Sequence, residues 1–320
     1  KYSKINNTEV LRNHLFLFWN SIDVLGRIYI AHEGINAQLS VPADNFEAFK
    51  THLDTIDFLE NVRLNIAIEH DLLSFLKLKV KVRDKIVSDG LNDDTFDSSD
   101  IGIHVNASEF NTLIEDNNTV VVDMRNHYES EIGHFKNAVT PDVDTFRESL
   151  DLIEDDLKAY KETKKLVMYC TGGIRCEKAS AYYKHKGFKN VYQLEGGIIN
   201  YARQVENEAI ENKFIGKNFV FDQRRAEKIS DDVIASCHQC GAPADIHVNC
   251  ANDACHLLFI QCDSCKKTME NCCSTHCMEI NRLPSEEQKL RRKGQGNSND
   301  IFKKGRTDHL PHKKDLRNSF

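Results

Sequence analysis

The chain has 320 residues, 40% hydrophobic and 28% charged, with a formal net charge of −7. That length exceeds what one core usually serves, so two or three domains are expected, and the acidic balance removes any global electrostatic reason to bind nucleic acid. No apolar run approaches the roughly 20 residues a membrane helix needs, and no charged, apolar, small-residue leader pattern opens the chain. A cytoplasmic protein with no membrane partner is the expectation.

Residues 8–20, TEVLRNHLFLFWN, have the spacing of an amphipathic helix. RIYIAHEGINAQLSVP at 27–42 reads as two strands interrupted at Gly34, and 43–53 returns to helical periodicity. Further strands are expected at 64–68 and 76–82, the second alternating as LKLKVKV. Together with a strand at the Lys1 end, this order predicts a ferredoxin-like α+β domain over 1–83. Residues 84–103 are Asp-rich and nearly free of periodic apolar positions, which predicts an acidic linker.

From 104 to 206, short apolar runs (TVVVD at 119–123, KLVMYC at 165–170, VYQL at 191–194) alternate with helical stretches at 108–115, 144–160, 177–186 and 198–206. This is the pattern of an α/β domain whose parallel strands are buried on both faces. Residues 207–283 form a Cys-rich C-terminal region with too small a core to stand unaided. The stretch 284–320 is a polar tail, with ten Lys or Arg against three Asp from Lys289 onward, and is expected to be disordered in isolation.

A buried strand that ends at Cys170 and passes through Thr171, Gly172, Gly173, Ile174 and Arg175 into a helix can curl its N–H groups around one point, an anion-binding nest at a positive helix end. A thiolate held there is nucleophilic near neutral pH. The glycines allow the tight turn, and Arg175 supplies a fixed cationic fork. A lone Cys ending a strand is more often packing than chemistry; strand, glycines, arginine and helix together reverse that balance. Cys176 reads equally well as a resolving thiol and as a packed helix residue. Asp123 and Arg125 read first as a strand-end ion pair, and His134 as hydrogen-bonded structure.

Nine of the eleven cysteines lie between Cys237 and Cys277, spaced C-x2-C-x9-C-x4-C-x6-C-x2-C-x6-C-C-x3-C. Such spacing in a chain without a leader pattern favours reduced thiols and one or two tetrahedral Zn²⁺ ions over disulfides. Buried thiols without metal and iron–sulfur chemistry are the competing readings. Cys237, Cys240, Cys262 and Cys265, two CxxC pairs, are the expected zinc ligands.

The loop CTGGIR, the preceding VVVDMRNHYESEIGHFKNAV (120–139) and LEGGI (194–198) resemble the rhodanese family, whose six-residue Cys-x4-Arg loop carries a catalytic persulfide. Related phosphatases use a longer loop, wide enough for phosphate, so sulfur chemistry outranks phosphate chemistry here. Over nearly the whole chain, GRIYIAHEGINAQLSVPADNFEAF (26–49), KVRDKIVSDG (81–90), VMYCTGGIRCEKASAYY (167–183), EGGIINYAR (195–203), FIGKNFVFD (214–222), CHQCGAP (237–243) and NDACHLLFIQC (252–262) resemble the bacterial tRNA uridine hydroxylases. That resemblance implies a tRNA partner bound near its anticodon, molecular oxygen as co-substrate, 5-hydroxyuridine as product and Cys170 as the persulfide cysteine. It names no electron donor, and the chain carries no flavin, haem or iron motif to activate oxygen. Lys77, Lys79, Lys81, Arg83 and the basic tail are available to phosphates; His32, Glu33 and Asn36 read as turn chemistry. A thiosulfate sulfurtransferase and a zinc-stabilised scaffold with a vestigial loop remain the alternatives.

Overall fold

The structure is a computed structural model that describes residues 1–68, 74–293, 307 and 309–312. Its N-terminal unit runs α1 (Thr8–Ser21), β1 (Leu25–Ala31), β2 (Gly34–Ser40), α2 (Phe46–Asp54) and β3 (Leu78–Val82). Asn7 starts α1, its side chain accepting from the Val10 N–H at 3.0 Å. The sheet is mixed: β1 is central, antiparallel to β2 and parallel to β3. The strand expected at the Lys1 end is reduced to a bridge between Tyr2 and Gly34. The approach there is so close that a Cβ on Gly34 would lie 2.3 Å from the Lys1 carbonyl.

Both helices cover one sheet face, where Leu15, Trp19, Phe49 and Leu53 pack on Ile28, Ile30 and Ile35. Because strand side chains alternate, the LKLKVKV segment turns Lys77, Lys79 and Lys81 to the opposite, exposed side, and Arg27 and Arg83 are exposed with them.

The expected strand at 64–68 does not form. Its backbone finds partners outside the sheet: Arg203 donates to the Ile66 and Ala67 carbonyls, and the Ile68 N–H donates to Glu227 at 3.0 Å. Nor is the acidic stretch at 84–103 a free tether. Ile86 and Asp89 are buried, and Val87, Leu91 and Phe96 lie against the central core. Asp89 accepts from Lys85 Nζ at 2.7 Å and from the Leu91 N–H at 2.8 Å, and Asp100 pairs with Lys184 of the central unit.

The central unit comprises β4 (Ile103–Val105), α3 (Ala107–Glu115), β5 (Thr119–Asp123), α4 (His127–Ser130), β6 (Gly133–Phe135), α5 (Phe146–Leu157), β7 (Lys165–Tyr169), α6 (Ile174–His185), β8 (Asn190–Leu194) and α7 (Gly197–Glu208). Four strands form a parallel sheet in the order β4-β8-β7-β5. The all-apolar strands seen in the sequence are explained by two cores, one on each face. Leu150 and Ile153 of α5 pack with Ala179 and Tyr183 of α6 on one side; Phe110 of α3 packs with Ile198 and Tyr201 of α7 on the other.

Strand β9 (Phe214–Phe219) pairs antiparallel with both β6 and β10 (Ala226–Lys228), stitching the C-terminal region to the central unit. There follow the hairpin β11 (His247–Asn249) and β12 (Leu258–Ile260), then α8 (Asp263–Thr268), α9 (Thr275–Asn281) and α10 (Ser285–Arg292).

The tail is more ordered than its composition implies. In α10, acids sit in the first turn and bases in the last, complementing the helix dipole. Thr307 and Leu310 are buried against the Cys-rich region. Residues 294–306, 308 and 313–320 of that expected disordered stretch lie outside the described residues. Among the described residues, no helix is long and apolar enough to cross a membrane.

Candidate active site at Cys170

Strand β7 ends at Tyr169 and α6 begins at Ile174, three residues before the expected start of that helix, so Arg175 and Cys176 stand in its first turn. Gly173 makes the turn with a φ of 91°, a conformation costly for any residue with a Cβ. Its N–H points at the buried Cys170 Sγ, 3.1 Å away. Burial alone would raise the thiol pKa. A hydrogen bond from the Cys176 thiol, the Arg175 charge and the N–H groups of Arg175 and Cys176 outweigh it, bringing Cys170 down from 9 to about 6. Cys176 moves the other way: burial and the neighbouring Cys170 raise it well above its ordinary value, so it stays a protonated donor.

Arg175 does not offer its fork to the loop. Nη1 and Nη2 donate to the two carboxylate oxygens of Glu129 at 2.7 and 2.8 Å, both groups being buried. Burial would raise the Glu129 pKa, but Arg175 holds the carboxyl below its ordinary value. Glu129 is itself fixed in the capping box of α4, where it accepts from the Asn126 N–H at 3.0 Å. Arg175 thus contributes a positioned charge beside the sulfur. The sequence reading missed Glu129; its signal was the N-x-x-E box of Asn126 to Glu129, read only as part of a family segment.

The far wall comes from α7. The Ile198 and Ile199 N–H groups, unpaired within their own helix, donate to the Cys170 and Thr171 carbonyls at 3.0 and 3.2 Å. Gly196 and Gly197 permit this with φ of 70° and 66°, and a Cβ on Gly197 would lie 2.4 Å from the Cys170 carbonyl. Thr171 Oγ1 is buried with no hydrogen-bond partner among the described residues, a polar atom left over in the loop. At the rim, the exposed Asn65 of the N-terminal unit donates to the Gly172 carbonyl at 3.2 Å, and Arg63 pairs with Glu195 at 2.5 Å.

Asp123 and Arg125 stand together, Arg125 Nε and Nη2 donating to the two Asp123 oxygens at 2.9 and 2.6 Å, with Nη2 also on the Gly133 carbonyl at 2.6 Å. The pair ties the end of β5 to β6. His134 Nδ1 lies 3.0 Å from the Phe135 carbonyl. Glu33 accepts from the Ile86 N–H at 2.8 Å and from the buried Lys178 at 2.9 Å, and Asn36 donates to the Ile86 carbonyl at 3.3 Å. His32 faces the Ile5 carbonyl at 2.8 Å. Of these three residues only Glu33 reaches the central unit, through Lys178, and none is hydrogen-bonded to the loop.

In the C-terminal region, the Sγ atoms of Cys237, Cys240, Cys262 and Cys265 all lie within 4.8 Å of one another, and Cys240 and Cys262 are 3.6 Å apart. A tetrahedral ion with Zn–S bonds of 2.3 Å sets its sulfurs ~3.8 Å apart, so the donor set fits a metal.

Three family profiles match in succession: the UPF0176 acylphosphatase like domain over 1–86, the rhodanese-like domain over 106–204 and the rhodanase C-terminal domain over 215–278. A tRNA uridine(34) hydroxylase of Leptospira interrogans is 54% identical over 96% of this chain and 83% of its own length. The chain belongs to the tRNA uridine(34) hydroxylase family. Proteins of that name from Cronobacter sakazakii and Yersinia pestis are each 53% identical, over 96% and 97% of this chain and 88% and 89% of theirs. Membership in the hydroxylase family covers all three units, so the Cys170 loop sits in the setting shared by those relatives.

Proposed function

We propose that this chain hydroxylates the wobble uridine of tRNA at C5, with Cys170 as the sulfur nucleophile. The observation that carries the reading is a nearly full-length relationship to tRNA uridine(34) hydroxylases in a chain whose Cys170 is depressed to about 6 inside an intact six-residue loop. Cys170, carried as a persulfide, adds to C6 of the uracil ring. That addition makes C5 the electron-rich carbon of an enolate, the position where oxygen has to be installed. Replacing C5–H by C5–OH with O₂ sends the second oxygen atom out as water, so each turnover draws two electrons and two protons from a reductant. Loss of the C5 proton then breaks the C6–S bond, which restores the ring double bond and returns the persulfide. Arg175 and the loop N–H groups keep the sulfur anionic, and Thr171 Oγ1 is free to hydrogen-bond the bound species. Exposed Lys77, Lys79, Lys81, Arg83 and Arg27, with Tyr29 beneath Arg83, form a basic sheet face for tRNA phosphates in the cytoplasm. Cys237, Cys240, Cys262 and Cys265 hold a structural Zn²⁺.

The test is the nucleoside profile of tRNA from a deletion strain carrying wild-type, Cys170→Ser or no copy of the gene. 5-Hydroxyuridine and its derivatives should be present only with wild type; equal amounts in all three strains would overturn the assignment. Thiosulfate turnover with cyanide that vanishes in Cys170→Ala, alongside unchanged tRNA, would favour a sulfurtransferase instead.

A further inference from the structure

Beyond the two CxxC pairs, the fold gathers a second set of four thiols that sequence spacing did not group. Cys250, Cys255, Cys273 and Cys277 have all four Sγ atoms within 4.8 Å of one another. Cys255 and Cys273 are 3.6 Å apart, and Cys273 and Cys277 are 3.7 Å apart. We propose that these four cysteines bind a second, structural Zn²⁺ ion, interleaved along the chain with the first.

The distances discriminate among the occupants of four clustered thiols. Disulfide sulfurs sit ~2.05 Å apart, far closer than these. A tetrahedral Zn–S₄ unit needs separations of ~3.8 Å. An iron–sulfur cluster spreads its terminal thiolates over several irons, and a ceiling of 4.8 Å on every pair leaves room for one ion only.

N–H donors, one from a ligand's own backbone and one from outside the ligand set, already point at the sulfurs. The Cys273 N–H lies 3.4 Å from Cys250 Sγ, and the buried Asn252 amide donates to Cys277 Sγ at 3.5 Å. Such N–H···S contacts compensate thiolate charge once a metal is bound. Cys272, next in sequence to Cys273, is left out, its thiol directed to the Glu270 carbonyl at 3.6 Å. Chain neighbours are therefore sorted by geometry.

Energetics argue the same way. The apolar cluster around the site has seven buried members, four of them cysteines, and Leu310 arrives from the tail. Leu257, Phe259 and Leu310 alone are a poor core, and a metal supplies what they lack. The order of the ligands adds cooperativity. The first set takes cysteines at 237, 240, 262 and 265, and the second takes 250, 255, 273 and 277, so each set closes a loop that contains half of the other. Strand β12 packs toward both sets, Leu258 and Ile260 with Cys237 and Phe259 with Cys250, Cys273 and Cys277. Binding by the four thiols replaces four S–H bonds by four Zn–S bonds and releases four protons to solvent, with no redox change.

The proposal is independent of the reaction at Cys170. Its test is the zinc content of the purified full-length chain, measured by mass spectrometry against protein concentration. Two equivalents are expected in wild type, falling in Cys277→Ser and, separately, in Cys240→Ser. Because interleaving can make either variant lose both ions, wild-type chain stripped by chelator under reducing conditions is also titrated with Co²⁺. The thiolate-to-cobalt absorption should grow through two equivalents. A plateau at one equivalent, one zinc that Cys277→Ser leaves untouched, bound iron in place of zinc, or a mass deficit from disulfides in the native chain would each overturn it.

Discussion

At the scale of single residues, the sulfur at position 170 is governed by a contest between burial and four nearby donors or charges, and the Cys176 thiol is the largest favourable contributor. The folded-state pKa is depressed, so the thiolate is present above about 6 and lost as pH falls through it. The absorbance of wild type minus Cys170→Ser at the thiolate wavelength should rise with a midpoint near 6, and the sulfur-dependent rate should follow it. Cys176→Ala removes a donor and should move that midpoint upward; an unmoved midpoint would show that Cys176 is only packing. Glu129 makes a second residue-level prediction. Replacing it by Gln leaves Arg175 buried without its carboxylate, and breaking a buried pair costs about 3–5 kcal/mol, readable as a lower urea midpoint. Cys170, Thr171, Gly172, Gly173, Ile174 and Arg175 were legible in the sequence because they are consecutive and their chemistry is local. Glu129 reaches Arg175 from 46 residues away and Asn65 reaches Gly172 from 107, and no local pattern announces a partner at such range.

Elements were legible where burial imposes a pattern. The strands of the central sheet are covered on both faces, and their apolar runs gave β5, β7 and β8 to within a residue. The segment at 64–68 has strand-like composition but lies between units, where Arg203 and Glu227 satisfy its backbone. Composition cannot distinguish that from pairing in a sheet. The Cys-rich region shows the same limit, since CxxC pairs declare themselves while the set at 250, 255, 273 and 277 exists only after folding. The junction of α7 with the loop is the element-scale feature most open to test. Gly197→Ala forces a left-handed φ on a residue with a Cβ, worth about 1–3 kcal/mol. It also places that Cβ 2.4 Å from the Cys170 carbonyl, so the loop has to shift. Thermal unfolding should drop accordingly, and 5-hydroxyuridine formation should fall further than stability alone explains. Activity that merely tracks the folded fraction would show that α7 supports the domain without shaping the loop.

Over the whole molecule, three units are tied by direct contacts, one of them at the loop itself. Glu33 joins the N-terminal turn to Lys178 on α6, Asn65 touches Gly172, and β9 extends from the C-terminal region to β6. The chain is acidic overall, yet its N-terminal sheet presents Arg27, Lys79, Lys81 and Arg83 on one exposed face, and neither Lys79 nor Lys81 forms an ion pair among the described residues. A net charge of −7 would repel a polyanion at long range, so the proposed tRNA face has to act through this local concentration of charge, within the ~10 Å over which 0.1 M salt screens. Each phosphate contact displaces condensed counterions, and the dependence of log affinity on log salt counts them. With Cys170→Ser as the non-turning background, a Lys79→Ala, Lys81→Ala double variant should bind an anticodon stem-loop more weakly. It should also show a salt slope shallower by about 1–2. Fluorescence anisotropy over a range of NaCl concentrations reads both quantities. The Cys170 titration should be unchanged, because the two lysines lie on β3 in the N-terminal unit, outside the loop. A slope equal to that of the background variant would mean that tRNA lies on another face, and the exposed lysines of β3 would then be no more than a solvated edge.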